Sequence, residues 1–196
     1  MIKAKKSLGQ NFLTDRSILE KIVNIIPIND ETILEIGPGT GNLTSFILKK
    51  NPKKVFVIEK DNVLAENLNL TFKNELIIIN DDVLNFDENS LSSDKVIVFG
   101  NLPYNISTEI LSKWILHLKD NFWFKHLILM FQKEVADRII ANFNSSIYGR
   151  LSILANWKLD ITKICDIKPE SFYPKPKIDS SLLFFSPKKN FHKIKD

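Results

Sequence analysis

The sequence has a single cysteine and no long apolar run, and both shortages restrict what the protein can be. Cys165 is the only cysteine among 196 residues, so no internal disulfide can form and a reducing, cytoplasmic compartment is expected. No apolar run approaches the roughly 20 residues of a membrane-spanning helix. No apolar block follows the basic start of the chain, so a secretory signal is not expected either.

Several catalytic and metal-binding patterns are also missing. The three histidines are scattered without the spacing of metal ligands, so no bound metal is expected. There is no Gly-x-Ser-x-Gly nucleophile turn and no Gly-Lys-Ser/Thr phosphate loop. Cys165 lies in an apolar segment of strand character, which favours a packing role over a nucleophilic one.

The composition is that of a globular domain with a basic balance. Hydrophobic residues make up 44% of the chain and charged residues 26%, and this length allows one domain with a substantial core. The net charge of +4 suits a polyanionic partner such as RNA, without demonstrating one.

Apolar runs of strand length alternate with helical segments, which predicts a doubly wound, mostly parallel α/β sheet. Seven strands are predicted, at 32–36, 54–59, 75–80, 96–99, 125–131, 159–167 and 181–186. Helices are predicted at 42–50, 107–118 and 132–142, and a short one from about 148. No helix separates the last two strands, which predicts an antiparallel edge.

Glycines and acids collect where the predicted strands end. The turn 37–41 reads Gly-Pro-Gly-Thr-Gly, which lets the backbone approach a ligand closely but does not match the dinucleotide pattern Gly-x-Gly-x-x-Gly. Glu59 lies 22 residues after Gly37, the spacing of an acid that accepts ribose hydroxyls. Asp81 and Asp82 follow the third strand, and either could accept the exocyclic amino group of an adenine.

The most informative turn is Gly100-Asn101-Leu102-Pro103-Tyr104, between a buried strand and a helix. Ligands of parallel sheets bind beyond the carboxyl ends of the strands. A side-chain amide and an aromatic ring suit a flat nitrogenous base there, because the amide can bind its amino group while the ring stacks on its face. Taken alone, the same residues would also make an ordinary turn.

Two further segments are expected to approach a ligand. Gln10-Asn11-Phe12-Leu13 follows a basic cluster and predicts a flap, with a helix N-cap at Thr14 or Asp15. The segment 168–177 holds three prolines, two aromatic residues and three lysines. Its lysines can meet phosphate and a ring can stack on a base.

Five motifs in this order resemble the ribosomal RNA adenine N6,N6-dimethyltransferases, and in particular their bacterial small-subunit (16S) branch. They are Gly-Gln-Asn-Phe-Leu at 9–13, Leu-Glu-Ile-Gly-Pro-Gly-Thr-Gly at 34–41, Gly-Asn-Leu-Pro-Tyr-Asn-Ile-Ser-Thr at 100–108, Gln-Lys-Glu-Val-Ala-Asp-Arg at 132–138 and Phe-x-Pro-x-Pro-Lys-Ile-Asp-Ser at 172–180. The resemblance covers about residues 5–187. It implies a Rossmann-like methyltransferase fold with S-adenosylmethionine as cofactor.

The resemblance also implies roles for individual residues. The cofactor-binding set is Asn11, Leu13, Gly37, Gly39, Glu59, Asp82 and Asn101, and the catalytic set is Asn101, Leu102, Pro103, Tyr104 and Phe172. Within these sets Glu59 would hold the ribose, while Tyr104 and Phe172 would sandwich the target adenine. Asp82 is chosen over Asp81 because the family's acid stands two residues before a leucine, here Leu84.

The implied reaction is dimethylation of adjacent adenosines in a hairpin loop near the 3′ end of small-subunit (16S) rRNA, during ribosome biogenesis. The implied partner is the immature 30S subunit, bound by a monomer. Residues 1–187 would form the methyltransferase domain and 188–196 a basic, frayed tail, without the helical domain that usually follows in this family. Two alternatives stay open: a large-subunit rRNA methyltransferase of the macrolide-resistance type, and a non-catalytic RNA-binding assembly factor.

Overall fold

The computed structural model describes residues 4–5, 8–118 and 121–192. Its strands are β1 Phe12–Leu13, β2 Thr32–Ile36, β3 Lys54–Ile58, β4 Ile77–Ile79, β5 Val96–Asn101, β6 Phe124–Gln132, β7 Leu159–Ile167, β8 Phe172–Tyr173 and β9 Ser180–Pro187. Its helices are α1 Arg16–Val23, α2 Asn42–Leu48, α3 Asn62–Phe72, α4 Ser107–His117, α5 Lys133–Ile139 and α6 Arg150–Lys158. Short 3₁₀ turns lie between some of these elements.

Seven strands form one sheet in the order β4-β3-β2-β5-β6-β9-β7. Strands β4, β3, β2, β5 and β6 run parallel to one another, while β9 is antiparallel to both β6 and β7. The predicted doubly wound sheet with an antiparallel edge is confirmed. The edge arises because β9 returns from β7 without a helix and inserts between β7 and β6.

The central strands are apolar throughout because both of their faces are covered. All five residues of β2 are buried. Its alternate residues enter two separate cores: Leu34 packs in one with Trp114 of α4, and Ile33 packs in the other with Ile47 of α2. The side-chain alternation of a strand thus divides one apolar run between the two faces of the sheet.

The structure adjusts several predicted boundaries. β5 continues through Asn101, so this residue is the last of the strand rather than part of the turn. α5 ends at Ile139 instead of Asn142, and Asp15 rather than Thr14 caps α1 through bonds from the amides of Ser17 and Ile18.

Two features of the termini were not predicted. β1 and β8 form a separate two-stranded antiparallel sheet that joins the N-terminal flap to the proline-rich segment. The prediction of a frayed tail is wrong for residues 188–192, because the Phe191 ring contacts Phe122 and Trp157, and the His192 carbonyl accepts a hydrogen bond from Trp157. Residues 193–196, and the first and last lysines of the predicted basic cluster, lie outside the described residues.

No helix in the described part of the chain is long and apolar enough to cross a membrane.

Candidate active site

A pocket of about 1190 Å³, part of it open to solvent, lies beyond the carboxyl ends of β2, β3 and β5. Ten of the eleven residues assigned to the site from the sequence line it: Asn11, Leu13, Gly37, Gly39, Glu59, Asp82, Asn101, Leu102, Pro103 and Tyr104. Phe172 is not among the lining residues. The topology therefore brings together residues that are up to 93 positions apart in the sequence.

The glycine turn between β2 and α2 forms the floor of the pocket. Gly37 and Gly39 have φ angles of +63° and +59°, a region that residues with a Cβ rarely adopt. A Cβ on Gly39 would lie 2.7 Å from Cδ1 of Phe12. Both glycines are thus required by the backbone conformation, and Gly39 also by the approach of the N-terminal flap.

Glu59 follows β3 directly and is nearly buried in the pocket wall. Its Oε2 accepts a hydrogen bond from the backbone amide of Gly39 at 3.1 Å, and its Oε1 accepts one from the amide of Asp61 at 2.9 Å. Burial raises the pKa of Glu59, while these two bonds oppose the rise. Each carboxylate oxygen has a second lone pair, so both oxygens can still accept a hydroxyl.

Asp82 lies on the same wall, after β4. Its Oδ2 accepts a hydrogen bond from Nζ of Lys60 at 2.6 Å, and its Oδ1 accepts one from the amide of Leu84 at 3.0 Å. The bond from Lys60 contributes most to holding the pKa of Asp82 below its ordinary value. A negative charge is therefore fixed beside the space where the sequence predicts an adenine ring.

The Asn101 side chain spans the pocket between the sheet and the N-terminal flap. Its Nδ2 donates a hydrogen bond to the carbonyl of Asn11 at 2.7 Å. Within the described residues no donor reaches its Oδ1. The amide is thus held in one orientation, with an acceptor left for a ligand.

The two aromatic residues of the predicted sandwich lie in different surroundings. Tyr104 lines the pocket, and its hydroxyl is 2.6 Å from Oγ of Ser180. Burial raises the pKa of this phenol. Phe172 is only 4% exposed, pairs with Leu13 in the small sheet and packs in the core. The structure thus places one ring, but not the other, on the pocket.

A third acid at the pocket, Glu35 in the middle of β2, was not predicted from the sequence. This carboxyl is 2% exposed and accepts a hydrogen bond from the Thr44 hydroxyl at 2.7 Å. Burial raises its pKa to about 8, and the charge of Glu59 adds to the rise. The available signal was an acid within an otherwise apolar strand, where an unpaired charge is costly.

Asp61 was not predicted either, although Gln10, one of its partners, belongs to the Gly-Gln-Asn-Phe-Leu motif. Asp61 caps α3 and is 4% exposed. Its side chain accepts hydrogen bonds from Lys5 and Gln10. No local pattern marks a contact between residues 51 and 56 positions apart.

A Rossmann-like sheet with a glycine turn, an acid after the second strand of the unit and a pocket at the strand ends is typical of nucleoside-binding α/β enzymes. Together with the family match and the similar structures given next, it places the chain in the class of S-adenosylmethionine-dependent methyltransferases. A similar solved structure is a dimethyladenosine transferase from Plasmodium falciparum, with a TM-score of 0.79 and 33% identity, covering 91% of this chain and 64% of that one. The 23S rRNA methyltransferase ErmE shares the fold, with a TM-score of 0.77 and 22% identity over 92% of this chain and 71% of its own.

The chain belongs to the ribosomal RNA adenine dimethylase family, which matches residues 1–196. It is 66% identical over 195 residues to ribosomal RNA small subunit methyltransferase A of Pelagibacter ubique, covering 100% of this chain and 74% of that protein. It is 44% identical to the protein of the same name from a Wolbachia strain of Culex pipiens, covering 95% and 71% of the two chains. S-adenosylmethionine is accordingly its methyl donor.

Proposed function

We propose that this protein transfers methyl groups from S-adenosylmethionine to N6 of adenosines in small-subunit rRNA. Its products would be two adjacent dimethyladenosines in a hairpin loop near the 3′ end of 16S rRNA, made on the immature 30S subunit by a cytoplasmic monomer. One observation carries the proposal: a single pocket is lined both by the buried acid Glu59 and by the Asn101–Tyr104 turn. The relatives named small subunit methyltransferase A support the choice of RNA.

The pocket residues fit the cofactor in chemistry, because acids, amides and a glycine turn line one space together with an aromatic ring. Glu59 would accept the ribose hydroxyls, Asp82 the adenine amino group, and the Gly37–Gly39 turn would lie under the methionine part. Asn11 and Leu13 would close the pocket from the flap. The bound cofactor supplies a sulfonium methyl group that is already electrophilic.

Asn101 would activate the nucleophile. The lone pair of adenine N6 is delocalised into the ring, which makes the amino group a poor nucleophile. The free Oδ1 of Asn101 and the carbonyl of Leu102 would accept its two N–H bonds and draw the lone pair out of conjugation. The bond from Asn101 to the Asn11 carbonyl fixes the amide so that the oxygen, not the nitrogen, faces the substrate.

Positioning would supply most of the acceleration. Near-attack alignment of nucleophile and methyl group can contribute up to ~7–11 kcal/mol of the barrier. The N6 proton becomes acidic only after the methyl group is attached, so no general base acts in the transition state. The electrophile needs no Lewis acid, and we infer that transfer is independent of metal.

The target base would stack on Tyr104, with Pro103 beside it. The hydrogen bond to Ser180 holds the Tyr104 ring in place. Phe172 would cover the opposite face, which requires its ring to leave the packed position that it occupies here. The base must be unstacked to enter, so an adenine in a hairpin loop is favoured over one in a duplex.

The large-subunit alternative is less well supported. ErmE is 22% identical to this chain and demonstrates the fold alone, whereas small-subunit relatives reach 66% identity. The non-catalytic alternative would be favoured by loss of Asn101, Tyr104 or the glycine turn, and all three are present.

The test is transfer of labelled methyl groups from S-adenosylmethionine to small ribosomal subunits that lack the modification, followed by digestion to nucleosides. We expect dimethyladenosine located in one hairpin loop. Cofactor binding measured by calorimetry separates the other outcomes. Binding without transfer would support the assembly-factor alternative, and absence of both would refute the proposed enzyme.

A further inference from the structure

The N-terminal segment 8–13 forms one wall of the pocket, because all six of its residues line the space. At its C-terminal end, Phe12 and Leu13 pair with β8. In its middle, the carbonyl of Asn11 accepts the bond from Asn101. Near Gly9, a Cβ would lie 2.9 Å from Oδ1 of Asn105, so the segment also packs against the turn that carries Tyr104.

On the side of α2, Nδ2 of Asn42 donates a hydrogen bond to the Leu13 carbonyl at 2.8 Å. Asp61 provides a further attachment, beside Glu59. Its Oδ1 accepts hydrogen bonds from Nζ of Lys5 at 2.8 Å and from the Val63 amide at 3.0 Å. Its Oδ2 accepts one from Nε2 of Gln10 at 3.1 Å. The backbone amide of Lys5 donates to Oε1 of Gln10 at 2.7 Å, so the two donors also brace each other.

The same residue contacts the acid that is proposed to hold the ribose. The amide of Asp61 donates to Oε1 of Glu59, whose other oxygen is bonded to the glycine turn. A shift of Asp61 would therefore also shift the carboxylate of Glu59, to which its amide is bonded. One residue joins the flap to the floor of the cofactor site.

The side chain of Asp61 is 3% exposed while that of Lys5 is 48% exposed. Burial acts to raise the pKa of Asp61, but the bonds from Lys5 and Gln10 outweigh it and hold the pKa below its ordinary value. A carboxylate this enclosed needs its donors, whereas the half-exposed lysine can leave into water. Such a contact holds the flap closed but permits it to open.

We propose that Asp61 is a positioning residue that fastens the flap 8–13 over the bound cofactor and so sets the rate at which cofactor and product leave. This inference rests on the proposed function, since it takes the pocket to hold S-adenosylmethionine. It assigns the Gln10 of the Gly-Gln-Asn-Phe-Leu motif to holding the flap rather than to touching the ligand.

The decisive variant is Asp61→Asn, because the single oxygen of asparagine can still cap α3 by accepting from the Val63 amide. Its NH2 group then faces Nε2 of Gln10 and cannot accept from it, and the ion pair with Lys5 is lost. We expect the dissociation rate of S-adenosylmethionine in stopped-flow measurements to rise about 3–10-fold, with a similar rise in Kd by calorimetry. Hydrogen exchange of amides 8–13 in the cofactor complex should become faster. Lys5→Met removes only the ion pair and should change both quantities in the same direction by a smaller amount, and adding it to Asp61→Asn should have little further effect.

Lys53→Met is the matched control, since it removes an ion pair with Asp94 at an exposed position that does not line the pocket. It should leave the dissociation rate and the exchange of 8–13 unchanged. Unchanged dissociation and exchange in Asp61→Asn would overturn the inference. So would a loss of binding matched by a fall in Tm, because it would indicate a merely structural role. If the unaltered protein fails to bind the cofactor, the proposed function fails instead, and this outcome is separate.

Discussion

At the scale of single residues, the polar side chains of the pocket differ in how much of their hydrogen-bonding capacity the protein itself uses. Both oxygens of Glu59 and both of Asp82 already accept one bond each. Asn101 uses its nitrogen and leaves its oxygen open. This difference fits the proposed division of roles, in which the acids recognise the cofactor and the amide acts on the substrate.

Replacing Asn101 tests that division. Asn101→Ala removes the acceptor for N6–H and also the bond to Asn11, so methyl transfer should fall at least 100-fold while S-adenosylmethionine affinity is reduced but measurable. Single-turnover transfer and calorimetry give the two values. Asn69→Ala, an exposed amide on α3, is the control and should change neither. Normal turnover by Asn101→Ala would refute the mechanism.

Glu35 gives a prediction about pH. Its pKa rises from 4.5 to about 8 on folding, so between these values the folded protein keeps a proton that the unfolded chain releases. The free energy of unfolding contributed by this group therefore falls as the pH rises through that window. Glu35→Gln should remove the loss and stabilise the protein at pH 8 relative to pH 5 by roughly 2–4 kcal/mol.

Chemical denaturation of both proteins at pH 5 and pH 8 measures this difference. Glu66→Gln, an exposed acid on α3, is the control and should preserve the original pH profile. Parallel profiles for the Glu35→Gln variant and the unaltered protein would show that Glu35 is ionised in the folded state.

At the scale of elements, the glycine turn and the flap fit against each other. A methyl group at Gly39 would meet the Phe12 ring and force a positive φ on an alanine. Gly39→Ala should therefore destabilise the protein by about 1–3 kcal/mol and weaken cofactor binding about 10-fold or more. Thermal unfolding and calorimetry measure both effects.

Gly149 is the matched control for that substitution. It has an extended backbone, with φ of −167°, and a Cβ there would meet nothing within 4 Å. Gly149→Ala should leave both stability and cofactor affinity close to those of the unaltered protein. Equal effects at the two glycines would mean that the fit between turn and flap is not what constrains Gly39.

At the scale of the whole molecule, the strand order brings the carboxyl ends of the parallel strands to one edge of the sheet. The net charge of +4 adds attraction for a polyanion. Lys177, in the proline-rich segment, is exposed and has no ion-pair partner among the residues described. Lys53 precedes β3 at the opposite, amino-terminal edge and pairs with Asp94. Substituting each lysine in turn therefore distinguishes a specific contact with RNA from an effect of net charge.

Lys177→Gln should weaken binding to the small-subunit hairpin RNA and reduce the slope of log K against log salt concentration by about 1, as expected for the loss of one phosphate contact. Lys53→Gln changes the net charge equally and should leave the slope unchanged. Fluorescence anisotropy over a range of salt concentrations measures both. Equal slopes for the two variants would place the RNA away from the proline-rich segment.

The sequence by itself determined the fold and most of the site. Short apolar runs bounded by turn residues indicate buried strands. The residues that follow such strands meet at one edge of a parallel sheet. The positions of Glu59 and Asn101 at that edge follow from this rule, as does the glycine turn. These features can be predicted from the sequence because strands and turns depend mainly on residues that are neighbours in the chain.

Only the tertiary structure decided which distant groups satisfy one another. It buried Glu35 beneath the pocket, turned Phe172 into the core through the β1–β8 pairing, and gave Asp61 two donors from the N-terminal segment. No local sequence pattern predicts any of these contacts. Each depends on the hydrogen bonds and packing available after the sheet has assembled, when a buried polar group must find a partner wherever the fold supplies one.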